Sequence, residues 1–411
     1  MEVPQSGHTL LDGAVATTLF EKGMPTNACV EEFILNHPGL ITELQSEFVK
    51  AGSDILYAPT FGANRARLST FSLEDKVYEY NTRLVALCKS IANGKKVAGN
   101  LSPTGLQIEP YGETSFEDVV EIYEEQALAL NDAGVDLFVI ETMLSIQEAR
   151  AAVFACQKFS KPIFVTFTIN EKGKTLSGAT PLSCLISLQG LGIHAFGLNC
   201  SEGPEMMVEI IKELSTFSKL PLIAKPSAGM PNPILPNVYD LSPSIMSEQM
   251  EALVDAGASI IGGCCGTTPE HIGEMRHMLD TYVPKQEKKH KPQQSNDIVL
   301  ANETQAFALD NDRMEFTDAI SCEHDMADAF LDAEEDSDDV LLISINSVEE
   351  ARQFAQNAHL AKLPVCISAT HEDALETALF LYSGRAMVDL QSPIDEQLLS
   401  RIAKRYGAVL Y

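Results

Sequence analysis

Two adjacent cysteines stand among glycines in Gly262-Gly263-Cys264-Cys265-Gly266-Thr267, directly behind the apolar run Ala258-Ser259-Ile260-Ile261. A third, Cys200, closes another apolar run 64 positions earlier, within Asn199-Cys200-Ser201. Three thiolates suit one Zn2+ ion, and leaving its fourth position open suits a catalytic site. A vicinal pair is a poor disulfide, because its geometry is strained; the competing reading is that small buried residues fill tight space. The chemistry such a site offers is thiol activation. A free thiol with a pKa of about 8.5 is mostly protonated at neutral pH, and coordination to zinc expels that proton. Two carboxylates also stand at the ends of apolar runs. Glu141 follows Leu137-Phe138-Val139-Ile140, and Asp12, with Gly13, Ala14 and Val15 behind it, follows His8-Thr9-Leu10-Leu11. Either could meet a substrate, but Asp-Gly is also a strong turn pair, and Glu141 could serve only a neighbouring backbone group.

The elements that must position these residues recur along the first 270 positions. Further runs are Asp54-Ile55-Leu56-Tyr57, Lys96-Val97-Ala98-Gly99, Ile163-Phe164-Val165-Thr166-Phe167, His194-Ala195-Phe196-Gly197-Leu198, Pro221-Leu222-Ile223-Ala224 and Ser259-Ile260-Ile261-Gly262. Continuous apolar runs suit strands buried on both faces of a parallel sheet. Helical patterns lie between them, one opened by the capping pattern Ser115-Phe116-Glu117-Asp118. Eight strands alternating with helices predict a (β/α)8 TIM barrel. A doubly wound sheet is the alternative, but no G-x-G-x-x-G follows any of these strands. In a barrel the residues after the strands share one rim, so Cys200, Cys264 and Cys265 come together there with Asp12 and Glu141. Packing cysteines have no reason to choose that end, and the metal reading gains by it. His194, at a strand start, reads as a core or packing histidine rather than a ligand, and Cys29, Cys88, Cys156 and Cys184 as packing or surface residues.

The length of 411 residues exceeds one ordinary core. Residues 1–283 form the barrel, the Lys- and Pro-containing stretch 284–296 reads as a linker, and 297–411 form a smaller α/β unit of half-barrel type. That unit carries 23 acidic against 7 basic residues, and its run 332–339 (DAEEDSDD) reads as a solvated loop or helix end. Its expected strands are Val340–Ile343, Pro364–Ile367, Ala386–Val388 and Ala408–Leu410, with helices at Ser347–Leu360 and Glu372–Leu381 between them. A net charge of −29 argues against nucleic acid and against an anionic membrane surface. No run of eighteen apolar residues predicts a membrane span, and Met1–Gln5 lacks the features of a signal peptide. Nine scattered cysteines do not make a disulfide framework, so a reducing cytoplasm is the expected setting.

Leu11-Asp12-Gly13-Ala14, Pro59-Thr60-Phe61-Gly62-Ala63-Asn64-Arg65, Val97–Asn100 with Pro103-Thr104-Gly105, Glu141-Thr142-Met143, Gly197–Ser201 and Gly262–Thr267 together resemble the zinc-dependent homocysteine S-methyltransferases, in particular the homocysteine-binding module of cobalamin-dependent methionine synthase. The resemblance spans residues 8 to about 280. It implies one zinc ion per chain on Cys200, Cys264 and Cys265, the substrate ammonium on Glu141, and the first loop, Asp12 to Val15, against the amino-acid end of homocysteine. Ser227 stands where that family carries Asn. Leu363–Asp389 and Arg405–Ala408 resemble part of a pterin-binding barrel, but Leu342, Ser344, Ala369 and Asp389 occupy the pterin-contacting positions and the chain covers half a turn. A degenerate unit with a docking or stabilising role is expected, packed on the first barrel, a second copy or a partner.

The implied activity is methyl transfer to homocysteine, giving methionine. With no corrinoid domain and no working folate site in the chain, the donor is expected to be a separate methylated corrinoid protein. Alternatives are a small donor such as S-methylmethionine or betaine, another small thiol as acceptor, or a non-catalytic assembly subunit that keeps its zinc for folding. Oligomeric state is left open.

Overall fold

The computed structural model describes residues 7–232, 234, 238–284, 297–335 and 339–411. All but the first residue of the expected linker, and residues 336–338 of the acidic run, lie outside the described residues. Eight short strands are buried along nearly their whole length: β1 (Thr9–Leu10), β2 (Ile55–Tyr57), β3 (Lys96–Leu101), β4 (Leu137–Met143), β5 (Ile163–Phe167), β6 (Ala195–Cys200), β7 (Leu222–Pro226) and β8 (Ala258–Ile261). Each pairs in parallel with its sequence neighbour, β1 pairs with β8, and the Leu11–Ile55 bridge joins β1 to β2, so the sheet closes. Parallel strands with helical crossovers place helices outside and side chains within. The interior is filled by Leu11, Ile55, Tyr57, Ala98, Leu137, Val139, Phe164, Ala195, Ile223 and Ile260.

Helix starts are set locally. Ser115, Ser145 and Thr180 each accept a backbone N–H in the first turn of the helices Phe116–Asp132, Ile146–Gln157 and Pro181–Gln189. His194 is exposed and not in the core: its Nδ1 accepts the Ile163 N–H at 3.2 Å, at the strand-start end of the barrel. Cys29, Cys88, Cys156 and Cys184 are all buried. No helix is long and apolar enough to cross a membrane among the described residues.

The second unit exceeds the three or four strands expected. A hairpin of β9 (Ile298–Ala301) and β10 (Ala306–Leu309) precedes a five-stranded parallel sheet of β11 (Ile320–Ser321), β12 (Leu341–Ile345), β13 (Val365–Ala369), β14 (Met387–Val388) and β15 (Val409–Leu410) in sequential order. Parallel strands in sequential order, with their connecting helices packed on one face, give a half-barrel. The hairpin, β11 and the helices Ala327–Glu335 and Glu396–Tyr406 escaped the sequence reading, because β11 is two residues in a polar stretch and the hairpin strands are half-buried. The start of the acidic run, Asp332 to Glu335, lies in the Ala327–Glu335 helix.

This unit sits on the flank of the barrel. Phe380 meets Phe116 and Phe154 at ring-centroid distances of 4.9 and 5.2 Å, and Tyr406 meets Phe154 at 5.9 Å. Arg150, fully buried, donates to the Leu379 carbonyl at 2.7 Å, at the C-terminus of the helix Glu372–Leu381, where a cation is favoured. Ser183 Oγ donates to the Asn302 carbonyl at 2.7 Å. Of the three places the unit could have docked, the barrel of its own chain is one it occupies.

Candidate metal and substrate site

The rim after β6 and β8 carries the three sulfurs. Cys264 Sγ lies 3.1 Å and Cys265 Sγ 3.5 Å from Cys200 Sγ, and all three fall within 4.8 Å of one another. On a tetrahedral zinc ion with Zn–S bonds of about 2.3 Å, sulfurs stand roughly 3.8 Å apart; shifts of a few tenths of an ångström would suit that ion. The donor set therefore fits zinc, and no other group of metal-ligating side chains of this kind occurs among the described residues.

The backbone explains the unusual motif. A side chain at Gly263 would collide with Thr267, and Gly266 (φ +75°) takes the left-handed turn against the Tyr239 ring. Cys200 and Ser201 also sit at positive φ, +58° and +59°, as does Thr142 at +63°. Such conformations cost on the order of 1 kcal/mol or more each for L-residues. They are held by a side-chain clamp: Asn199 Nδ2 donates to Thr142 Oγ1 at 2.7 Å, the Thr142 N–H donates to Asn199 Oδ1 at 3.0 Å, and the same amide reaches Cys264 Sγ at 3.8 Å. Among the thiols, Cys265 is held below the ordinary range by hydrogen bonds from Cys200 and Cys264, while hydrogen bonding to Cys264 and Cys265 pushes Cys200 up.

Two carboxylates share the cavity with the sulfurs. Asp12 is no turn residue: it is buried, and its Oδ2 accepts the Tyr57 N–H at 2.8 Å, bracing β1 to β2. Burial raises its pKa to about 7 against the pull of Lys225. Glu141 accepts from Asn100 Nδ2 at 3.0 Å through Oε2, and its Oε1 lies 3.2 Å from Lys225 Nζ. Burial pushes Glu141 up, with Lys225 opposing; burial pushes Lys225 down, but Glu141, Cys264 and Asp12 outweigh it and hold the ammonium charged.

Asp12, Gly13, Ala14, Val15, Glu141, Cys200, Cys264 and Cys265 all line one cavity of about 240 Å³. In the same wall stand Asn100, Thr142 and Lys225, which follow strand runs in the sequence but are given no role there, and Tyr57, which reads only as a strand residue. Lys225 had a visible signal: a lysine ending the run Leu222–Ala224 is too deep to stay unpaired. Ser227 is buried, and its backbone N–H bonds the Cys200 carbonyl at 3.1 Å.

The sequence model of homocysteine S-methyltransferases matches residues 9–279. The chain belongs to that family. Among curated relatives, methionine synthase from Mycobacterium leprae (strain TN) is 28% identical over 302 residues, covering 67% of this chain and 25% of its own length. The chain thus spans about a quarter of that relative. The homocysteine methyltransferase MmuM from Escherichia coli superposes in its metallated form with a TM-score of 0.57 at 25% identity, over 66% of this chain and 96% of MmuM. Its oxidised form gives 0.58 at 23% identity over the same shares. The family barrel is therefore the shared part, and the half-barrel beyond residue 279 lies outside the family match.

Proposed function

We propose that this methyltransferase transfers a methyl group to the thiol of homocysteine, giving methionine, with one zinc ion held by Cys200, Cys264 and Cys265. The observation that carries the reading is the meeting of three sulfurs and two carboxylates in one cavity. Zinc, when bound, supplies thiol activation, keeping the substrate sulfur a thiolate at neutral pH. The chain's own residues do the rest. Asp12 and Glu141 receive the substrate ammonium, and Asp12 to Val15 close on the amino-acid end. The Asn199–Thr142 clamp fixes the loop of Cys200. In the transfer a sulfur–carbon bond forms, the carrier–carbon bond breaks, and the thiol proton leaves to solvent.

A separate methylated corrinoid protein is the donor we favour. Phe61 in the cavity lining and Leu176, Met230, Ile234 and Val238 on loops that follow β5 and β7 are exposed apolar residues, and exposed apolar surface of this kind suits a macromolecular partner. Nine cysteines without a disulfide accord with the cytoplasm. Purified protein should carry one zinc per chain and methylate L-homocysteine with a methylcorrinoid. Turnover only with betaine or S-methylmethionine would replace the donor, and turnover only with another thiol would replace the acceptor. A folded, zinc-loaded protein inert with every donor would leave the assembly-subunit reading.

A further inference from the structure

Four buried side-chain atoms in the cavity wall lack a hydrogen-bond partner: Asp12 Oδ1, Tyr57 Oη, Asn100 Oδ1 and Glu141 Oε1, the last of which has only the Lys225 ion pair. Buried polar atoms without partners cost free energy unless something arrives to satisfy them. Sorted by chemistry, they divide in two. Asp12, Asn100 and Glu141 offer three acceptor oxygens, matching the three N–H bonds of an ammonium. The donors are the Tyr57 hydroxyl and the Lys225 ammonium, whose Nζ lies 4.9 Å from the centre of the Tyr57 ring and 3.2 Å from Glu141 Oε1. Lys225 is also the one cation among the described residues lining this cavity. One acceptor group and one donor group side by side fit a zwitterion.

On the reading that homocysteine is the acceptor, we propose that Lys225, helped by the Tyr57 hydroxyl, holds the substrate carboxylate and so selects α-amino-acid thiols over aminothiols without a carboxylate. In the empty cavity Lys225 neutralises Glu141. When the substrate ammonium takes over that carboxylate, Lys225 is released to the substrate's own anionic end. A charged hydrogen bond of this kind is stronger than a neutral one, and a site built to bond a substrate group rejects the analogue that lacks it.

The test compares L-homocysteine with 3-aminopropane-1-thiol, which keeps the thiol and the ammonium but has hydrogen in place of the carboxylate. Both are titrated into zinc-loaded protein by calorimetry and assayed for kcat/KM with methylcobalamin as methyl source. The unaltered protein should prefer homocysteine by roughly a hundredfold or more. Lys225→Met should collapse that preference to below about tenfold, whereas Lys225→Arg should keep most of it. Asp12→Asn should weaken both thiols together and preserve the ratio, since both carry the ammonium. A Lys225→Met protein that loses ground equally on both thiols overturns the assignment, as does an unaltered protein that does not distinguish them. Where Lys225→Met fails to fold or to bind zinc, the ratio in Tyr57→Phe decides, with a several-fold fall expected and an unchanged ratio overturning. If the zinc-loaded protein neither binds nor methylates either thiol, the functional reading itself fails and takes this assignment with it.

Discussion

Two parallel sheets, built by the same strand–helix repetition, end this chain with opposite interiors. The closed barrel concentrates discomfort at one mouth: buried polar atoms without partners, a buried lysine, three residues at positive φ and three sulfurs in contact. The half-barrel carries almost none of this among its described residues. Its inner face carries Leu300, Val340, Cys366 and Met387, with Leu342, Phe316 and Val409 against them. Among its described residues none other than glycine has positive φ, and the one buried polar side-chain atom without a hydrogen-bond partner is His359 Nδ1. At the barrel mouth strain and unsatisfied polarity coincide where a ligand can reward them, while other unpartnered buried atoms of the barrel, such as Gln45 Oε1 and Ser187 Oγ, lie outside the cavity lining.

The contrast is broken most directly by exchanging which unit is damaged. Cys265→Ala should abolish stoichiometric zinc and lower turnover by more than about 10³-fold, while circular dichroism and the unfolding midpoint stay near those of the unaltered protein freed of zinc. General unfolding would make the sulfurs a structural knot and erase the distinction. Phe354→Ala in the half-barrel should do the reverse. Phe354 is fully buried and stacked on Tyr382 at 5.8 Å, so its loss should cost about 3–5 kcal/mol of stability. Zinc content and the KM for homocysteine should hardly move. Loss of zinc in this variant would show that the half-barrel shapes the site.

How much of this was legible follows the same divide. Strands buried on both faces, such as Phe138 to Ile140, announce themselves as unbroken apolar runs, and cysteines after two of them can meet only on one rim. Asn100 and Lys225 also end such runs, but their roles, like that of Tyr57, depend on which side chains face them across the barrel. In the half-barrel, the edge strand Ile320–Ser321 is two residues long and takes its identity from the register with Ile343 and Ser344. No local pattern encodes that pairing.

Asp12 sharpens the comparison within the barrel. Its pKa of about 7 in the fold, against 3.8 ordinarily, means the folded chain keeps a proton that the unfolded chain gives up between pH 4 and 7. That contribution to stability is greatest at low pH and is lost as pH rises to about 7. Asp12→Asn should therefore gain stability relative to the unaltered protein between pH 5 and pH 8, measured by thermal melts at both. Because an ionised Asp12 is needed to hold the ammonium, kcat/KM for homocysteine should rise through pH 7 in the unaltered protein. In Asp12→Asn that inflection should vanish, with kcat/KM down by about tenfold. An inflection kept in the variant would assign it to another group.

The smallest expected effect is a null one, and it probes the half-barrel alone. A pteridine ring brings several donors and acceptors that must be met by the protein or stay solvated. Leu342 presents an apolar side chain to the inner face, and Ala369 faces the helix layer. Asp389 already accepts the Gln391 N–H at 2.8 Å. Few polar groups are left for a pterin, so methyltetrahydrofolate should leave the thermal midpoint where it was. A ligand present at a hundred times its dissociation constant stabilises a fold by about 2.7 kcal/mol, which would move the midpoint by several degrees. A shift of that size, lost on Asp389→Ala but unaffected by Cys265→Ala, would mean that the second sheet binds folate after all. The half-barrel would then be a second ligand site, and the opposition between the two interiors would fall.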